Sequence, residues 1–81
     1  MRITVRLFSH LRDLAGTDQI ALELSAGSRV SDLLAEVYRQ YPAVARADKT
    51  ILVGAGVEFV GRNHLLQEGE EIALMPPVQG G

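Results

Sequence analysis

Between Val30 and Tyr41 the apolar residues Val30, Leu33, Leu34, Val37 and Tyr41 recur at i, i+3, i+4, i+7 and i+11, with Asp32, Glu36, Arg39 and Gln40 opposite them. That spacing makes one amphipathic helix, whose apolar stripe must be laid against another element. The remaining segments are short or alternate with period two, so the helix has a sheet to cover. Ser25-Ala26-Gly27 is turn chemistry, and Ser28 stands where a hydroxyl would cap the helix N-terminus. Pro42 ends the helix and disfavours helical geometry at Tyr41.

The strands follow from alternation. Arg2 to Phe8 places Ile3, Val5 and Leu7 on one face and leaves Phe8 on the opposite one. Ser9 to Leu14 reads as one or two helical turns stopped by Gly16, and Gln19 to Leu24 returns as a strand able to pair antiparallel with the first. Ala43 to Lys49 is a short helical turn or a loop. Ile51-Leu52-Val53 forms a third strand, which Gly54-Ala55-Gly56 is expected to interrupt. Val57 to Val60 is a short strand after that bend, with a turn at Gly61-Arg62-Asn63 beyond it. Gln67-Glu68-Gly69 is a turn before a last strand, Glu70 to Met75, whose Ile72 and Leu74 share a face. The expected fold is α+β: a mixed sheet of four to five strands under one main helix, a single domain over residues 1–75 with a C-terminal tail over 76–81.

Composition removes several function classes. With no Cys among 81 residues, disulfides, thiolate metal sites and cysteine nucleophiles are excluded, which fits a cytoplasmic protein. Seven Arg and one Lys are scattered through a chain of net charge -2, so no basic stripe exists for nucleic acid. No apolar run approaches the roughly 20 residues of a membrane span, and Met1 to Arg6 lacks a signal-peptide apolar region. Ser9, His10 and Asp13 are residue types of a catalytic triad, but adjacency in sequence supplies no triad geometry. His10 and His64 lack the further ligands a metal site requires. Gly54-Ala55-Gly56 is not followed by the Lys-Ser/Thr of a phosphate loop. Arg6, Arg12 and Arg39 read as solvated charges.

The segment Pro76-Pro77-Val78-Gln79-Gly80-Gly81 carries the chemical signal. Prolines cannot donate to a sheet ladder, and two glycines offer no side chain to pack. Extended at about 3.3–3.6 Å per residue, the six residues reach roughly 20 Å, enough to enter a narrow site in another protein. A Gly-Gly carboxylate has no Cβ to obstruct approach to a nucleotide phosphate, which suits activation of the Gly81 carboxyl as an acyl adenylate.

This tail, preceded by Leu-x-x-Gly-Glu-Glu-Ile from Leu66 to Ile72, resembles the small, sulfur-carrying subunit of molybdopterin synthase (MoaD-like), in the ubiquitin-like superfamily. Leu11-Arg12-Asp13-Leu14-Ala15-Gly16 and Val30-Ser31-Asp32-Leu33-Leu34 extend the likeness along the chain. Val53-Gly54 stands where that family often has Asn, and Leu74-Met75 where it often has an aromatic pair, so the partner surface is altered. The resemblance implies a ubiquitin-like β-grasp and a non-catalytic sulfur-donor subunit that binds no cofactor itself. An activating enzyme would use Mg-ATP to adenylate Gly81, with Gly80 as its slender approach. A sulfur donor such as a cysteine desulfurase or rhodanese-like protein would then form the thiocarboxylate. The large synthase subunit would receive the tail, and sulfur would pass to cyclic pyranopterin monophosphate. Phe8 and Met75, off the core face beside the tail, are the expected partner patch, with Pro76, Pro77, Val78 and Gln79 contacting the partner along the tail. The same terminal chemistry would also serve thiamine, tRNA thiolation or cysteine synthesis, or a ubiquitin-like protein modifier.

Overall fold

The computed structural model describes residues 1–77. The chain forms β1 (Arg2–Leu7), α1 (His10–Ala15), β2 (Gln19–Glu23), α2 (Val30–Gln40), a 3₁₀ segment (Pro42–Thr50), β3 (Leu52–Ala55), β4 (Glu58–Val60) and β5 (Glu71–Met75). Alternation sorts the sheet into two faces: Ile3, Val5 and Leu7 of β1, Ile20 and Leu22 of β2, and Ile72 and Leu74 of β5 are all buried. β1 and β2 form the expected antiparallel pair, with Ile3 opposite Leu22 and Val5 opposite Ile20. β5 lies parallel to β1 on its other side, and β3 and β4 follow antiparallel, giving the order β2-β1-β5-β3-β4. A parallel pair cannot be joined by a hairpin, so the chain between β1 and β5, including α2, is the crossover that brings them together.

The helix stripe behaves as its spacing requires. Val30, Leu33, Leu34 and Val37 are buried in the same core as the inward residues of the sheet, and Tyr41 is half-buried at its end. Each such side chain contributes roughly 1.5–3 kcal/mol on burial, before the entropy of ordering it is subtracted. Gly16 terminates α1 at φ +74, its N–H donating to the Arg12 carbonyl at 2.9 Å, a left-handed cap that a Cβ would strain.

Three local expectations are corrected. The first strand ends at Leu7 rather than Phe8, and α1 begins at His10. Ser28 does not cap α2. Arg29 is the N-cap, and its N–H donates to the Asp32 carboxylate at 2.8 Å. The N–H groups of Val30 and Ser31 donate to the His64 and Arg62 carbonyls, so the loop after β4 does the work expected of a serine hydroxyl. Gly54 does not break the third strand: β3 runs through it, and the turn falls at Gly56-Val57. The weak segment after Pro42 is a nine-residue 3₁₀ run, anchored inward by Val44.

A polar fastening holds that run to the rest. The Tyr38 hydroxyl of α2 donates to Asp48 at 2.5 Å, and Arg62 grips both the Asp48 carboxylate and its carbonyl, at 2.7 and 2.6 Å. The Tyr38 hydrogen bond, then Arg62, holds the Asp48 carboxyl below the usual carboxylate range. Burial, reinforced by Asp48, pushes the Tyr38 phenol up. Among the described residues no helix is long and apolar enough to cross a membrane.

Candidate functional site: an apolar trough beside the tail

The sheet face pointing away from the core is not uniformly polar. The strand register aligns Arg6 of β1, Ala73 of β5, Gly54 of β3 and Phe59 of β4 in one row. Two small residues at its centre make a floor, and the larger neighbours stand around it. The next row brings Met75 opposite Leu52, with Phe8 following β1 on the same side and its N–H bonded to the Leu74 carbonyl. The resulting trough, about 370 Å³, is lined by Phe8, Met75, Phe59, Val57, Gly54 and Ala73, with Glu58 and Glu71 at its margin. It continues, through Gly54, Gly56, Ala73 and Glu71, into a second hollow of about 410 Å³ that reaches Glu70.

Local backbone chemistry sets each wall. β3 and β4 are joined by a two-residue turn with Gly56 at φ +63 and Val57 outside the positive-φ region. That is the II′ pattern, whose twist suits a hairpin and which takes Gly first. The turn leaves Val57 fully exposed and Phe59 65% exposed. Gly54 is needed for close approach: a Cβ there would lie 3.0 Å from the Met75 methyl, so its absence lets Met75 fold over the floor. Phe8 is presented by a strained neighbour, Ser9 at φ 56, in a turn where the Leu11 N–H donates to the Phe8 carbonyl. A non-glycine residue held there costs on the order of 1–3 kcal/mol, a strain the packed elements on either side must sustain.

The expected patch residues Phe8 and Met75 therefore line one trough, and Pro76, half-buried, and Pro77, exposed, follow Met75 directly. Val78, Gln79, Gly80 and Gly81 lie outside the described residues. Phe59 and Val57 were absent from the sequence reading of the patch. The signal for Phe59 was its alternation with Val60 in a strand of three residues, but its face depended on a register that Gly54-Ala55-Gly56 obscured. Ser9, His10 and Asp13 are all exposed, with no hydrogen bond joining their side chains among the described residues. His64 pairs with Glu70 at 3.0 Å. Arg39 is held by Glu36 within α2, and Arg39, then Gln40, brings the Glu36 carboxyl down to about 2.

Sheet order, crossover helix and outward trough define the class: a ubiquitin-like β-grasp protein. The comparisons narrow it. The ThiS family model matches residues 5–81, and the chain belongs to that family. It is 34% identical over 83 residues to a molybdopterin synthase sulfur carrier subunit of Chlamydomonas reinhardtii, covering 100% of both chains. It is 31% identical over 81 residues to the subunit of that name from Escherichia coli K12, covering 98% of this chain and 99% of the other. Among solved structures it is similar to SAMP1, the small archaeal modifier protein 1 of Haloferax volcanii, with a TM-score of 0.88, 27% identity and 100% of both chains covered.

Proposed function

We propose that this chain is the sulfur carrier of a molybdopterin synthase, with the sulfur held as a thiocarboxylate on Gly81. The observation that carries the reading is the position of the trough: Met75 lines it and Pro76-Pro77 follow at once, so a partner gripping the trough lies at the root of the Val78-Gln79-Gly80-Gly81 segment. The carrier subunits among its relatives support the same assignment.

In this cycle a Gly81 carboxylate oxygen attacks the α-phosphorus of Mg-ATP in an activating enzyme and pyrophosphate leaves. The terminal sulfur of a persulfide donor then attacks the acyl carbon and displaces AMP, giving an acyl disulfide; a second thiol of the donor attacks the donor-side sulfur, leaving the thiocarboxylate on Gly81 and a disulfide on the donor. Gly80 and Gly81 present no side chain to obstruct either approach. The large synthase subunit docks on the trough and takes the tail into its own active site, where sulfur passes to cyclic pyranopterin monophosphate. The carrier contributes position and the activated carbonyl; proton transfers belong to the large subunit, and the cycle runs in the cytoplasm where ATP is supplied.

Reconstitution tests this directly. Chain sulfurated by the activating system, mixed with the large subunit and the pterin precursor, should yield the dithiolene product in proportion to chain consumed. A variant lacking Gly81 should yield none while still binding the large subunit. Product from the truncated chain would overturn the proposal. The likeness to SAMP1 favours a second reading, a protein modifier that passes Gly81 to a lysine amine. Isopeptide conjugates bearing Gly81, with no thiocarboxylate intermediate, would select it.

A further inference from the structure

Seven arginines and one lysine carry the positive charge of this chain, and it has no cysteine. Guanidinium groups stay protonated and offer no free electron pair to an acyl carbon. The nucleophilic amines are therefore the Lys49 side chain and the amine of Met1. The fold sets these two at different distances from the tail. Lys49 is exposed near the end of the 3₁₀ segment, three residues before Leu52, which pairs with Met75. At about 3.8 Å between successive Cα atoms, the Lys49 Cα lies no more than about 11 Å from that of Leu52. The antiparallel pairing adds about 5 Å, so Lys49 is within about 17 Å of Met75. The residues from Pro76 to Gly81 span up to roughly 20 Å, and the lysine side chain lengthens the reach, so the Gly81 carbonyl and the Lys49 Nζ can meet. Asp48, next to Lys49, is taken up by Tyr38 and Arg62, and among the described residues Lys49 enters no ion pair. Met1 stands at the other end of the sheet. β1 runs parallel to β5 with Leu7 beside Leu74, which puts Met1 about 20 Å back along β1 at about 3.3 Å per residue. Its ammonium is paired with Glu23 at 3.7 Å.

Resting on the reading that Gly81 is adenylated, we infer that Lys49 is an internal acceptor for it: an acyl adenylate that leaves the activating enzyme before sulfur arrives closes onto Lys49. The neutral Nζ attacks the Gly81 acyl carbon, the bond from that carbon to the phosphate oxygen breaks, and AMP leaves with the electron pair. The nitrogen gives up its proton to water. The product is a ring closed by an isopeptide bond, lighter than the chain by one water. Tethering decides which amine is acylated. Groups joined by a short flexible segment meet at an effective concentration on the order of millimolar, so in a micromolar solution closure outruns transfer to a second copy by about 100- to 1,000-fold. The ring has no terminal carboxyl, so it can neither be adenylated again nor carry sulfur. Closure thus withdraws carrier whenever activation exceeds the supply of sulfur.

The test incubates the full chain, at low micromolar concentration, with the activating enzyme and Mg-ATP but no sulfur donor. Lys49→Arg is treated alongside, since it keeps the charge and removes the nucleophile. Chain-dependent exchange of labelled pyrophosphate into ATP reports adenylation in both. Wild type should accumulate a monomeric species lighter by one water and stable to hydroxylamine, which cleaves esters of the hydroxyl side chains. Trypsin should leave residues 47–62 joined to residues 63–81 through Lys49 and Gly81. Lys49→Arg should lose this species with exchange unchanged, its yield in wild type should not depend on chain concentration, and a sulfur donor should suppress it. Exchange without the ring in wild type, an equal yield from Lys49→Arg, linked dimers in place of the ring, or a ring undiminished by the donor overturns the inference and leaves adenylation standing. Absence of exchange overturns the adenylation reading itself, and the inference with it.

Discussion

Phe59→Ala should weaken association with the large synthase subunit far more than it disturbs the fold. Phe59 leaves 65% of its surface open on β4, where it forms one wall of the trough. A covered phenylalanine buries about 150–250 Å², so a partner can remove roughly 100–160 Å² more from water at this position. At about 25 cal/mol per Å² that is a gross gain of about 2.5–4 kcal/mol. The retained Cβ and the ordering of the ring reduce it to about 2–3 kcal/mol, or about 30- to 150-fold in Kd. Phe8, 43% exposed, has less left to bury and should cost about two-thirds as much. Titration calorimetry against the large subunit, paired with thermal unfolding of the free chain, separates the two effects. Folding stability should change by no more than about 0.5–1 kcal/mol, as for other exposed positions. A Kd within twofold of wild type would refute the placement of the partner on this trough. A loss of affinity matched by an equal loss of folding stability would show that Phe59 acts on the fold instead.

Tyr38→Phe removes the hydroxyl that donates to Asp48, while Arg62 still holds that carboxylate. A hydrogen bond to a charged group that keeps a second partner is worth about 1 kcal/mol here, a fall in Tm of about 4–8 °C. The same variant tests the titration. The Tyr38 phenol is raised above its ordinary 10 in the folded chain, so the folded state keeps a proton that the unfolded chain releases. Its stabilisation is complete below about pH 10 and declines as pH rises further, and Tyr38→Phe should flatten that alkaline limb of Tm against pH. Asp48 has the opposite sign: lowered from 3.8, it stabilises above about pH 4 and loses that contribution on further acidification, a slope that Asp48→Asn should reduce. Gly54→Ala should fold, because the atom its Cβ meets is the flexible Met75 methyl, but that methyl must leave the floor. A shifted Met75 methyl resonance together with weaker large-subunit binding is expected, and an unmoved resonance would contradict the packing.

Most of the fold could be read from the order of residues because its determinants are local. Alternation in Ile3-Val5-Leu7 and Ile72-Leu74, the helical spacing from Val30 to Val37, and glycine at a left-handed C-cap each act within a few residues. The misreadings fall where a distant segment decides. Ser28 has capping chemistry, but the loop at Arg62 and His64 reaches the helix N-terminus first, and no periodicity reports that contact. Gly54 looks like a break because glycine packs poorly in a strand, yet Met75 arrives from β5 to cover it. Phe59 was missed for the same reason: its face is set by pairing with β3, and only the three-dimensional register puts it in one row with Gly54 and Ala73. That Phe8 and Met75 lie off the core face can be read locally, because Phe8 follows and Met75 ends a strand whose inward face is unambiguous.

The central claim is that Gly81 carries sulfur, and intact-mass measurement with C-terminal fragmentation tests it most directly. The chain is incubated with the activating enzyme, Mg-ATP and a sulfur donor, and compared with the same mixture lacking ATP. The account predicts an ATP-dependent mass gain equal to the exchange of one oxygen for sulfur, confined to Gly81. An unchanged mass, or sulfur placed elsewhere on the chain, would contradict it.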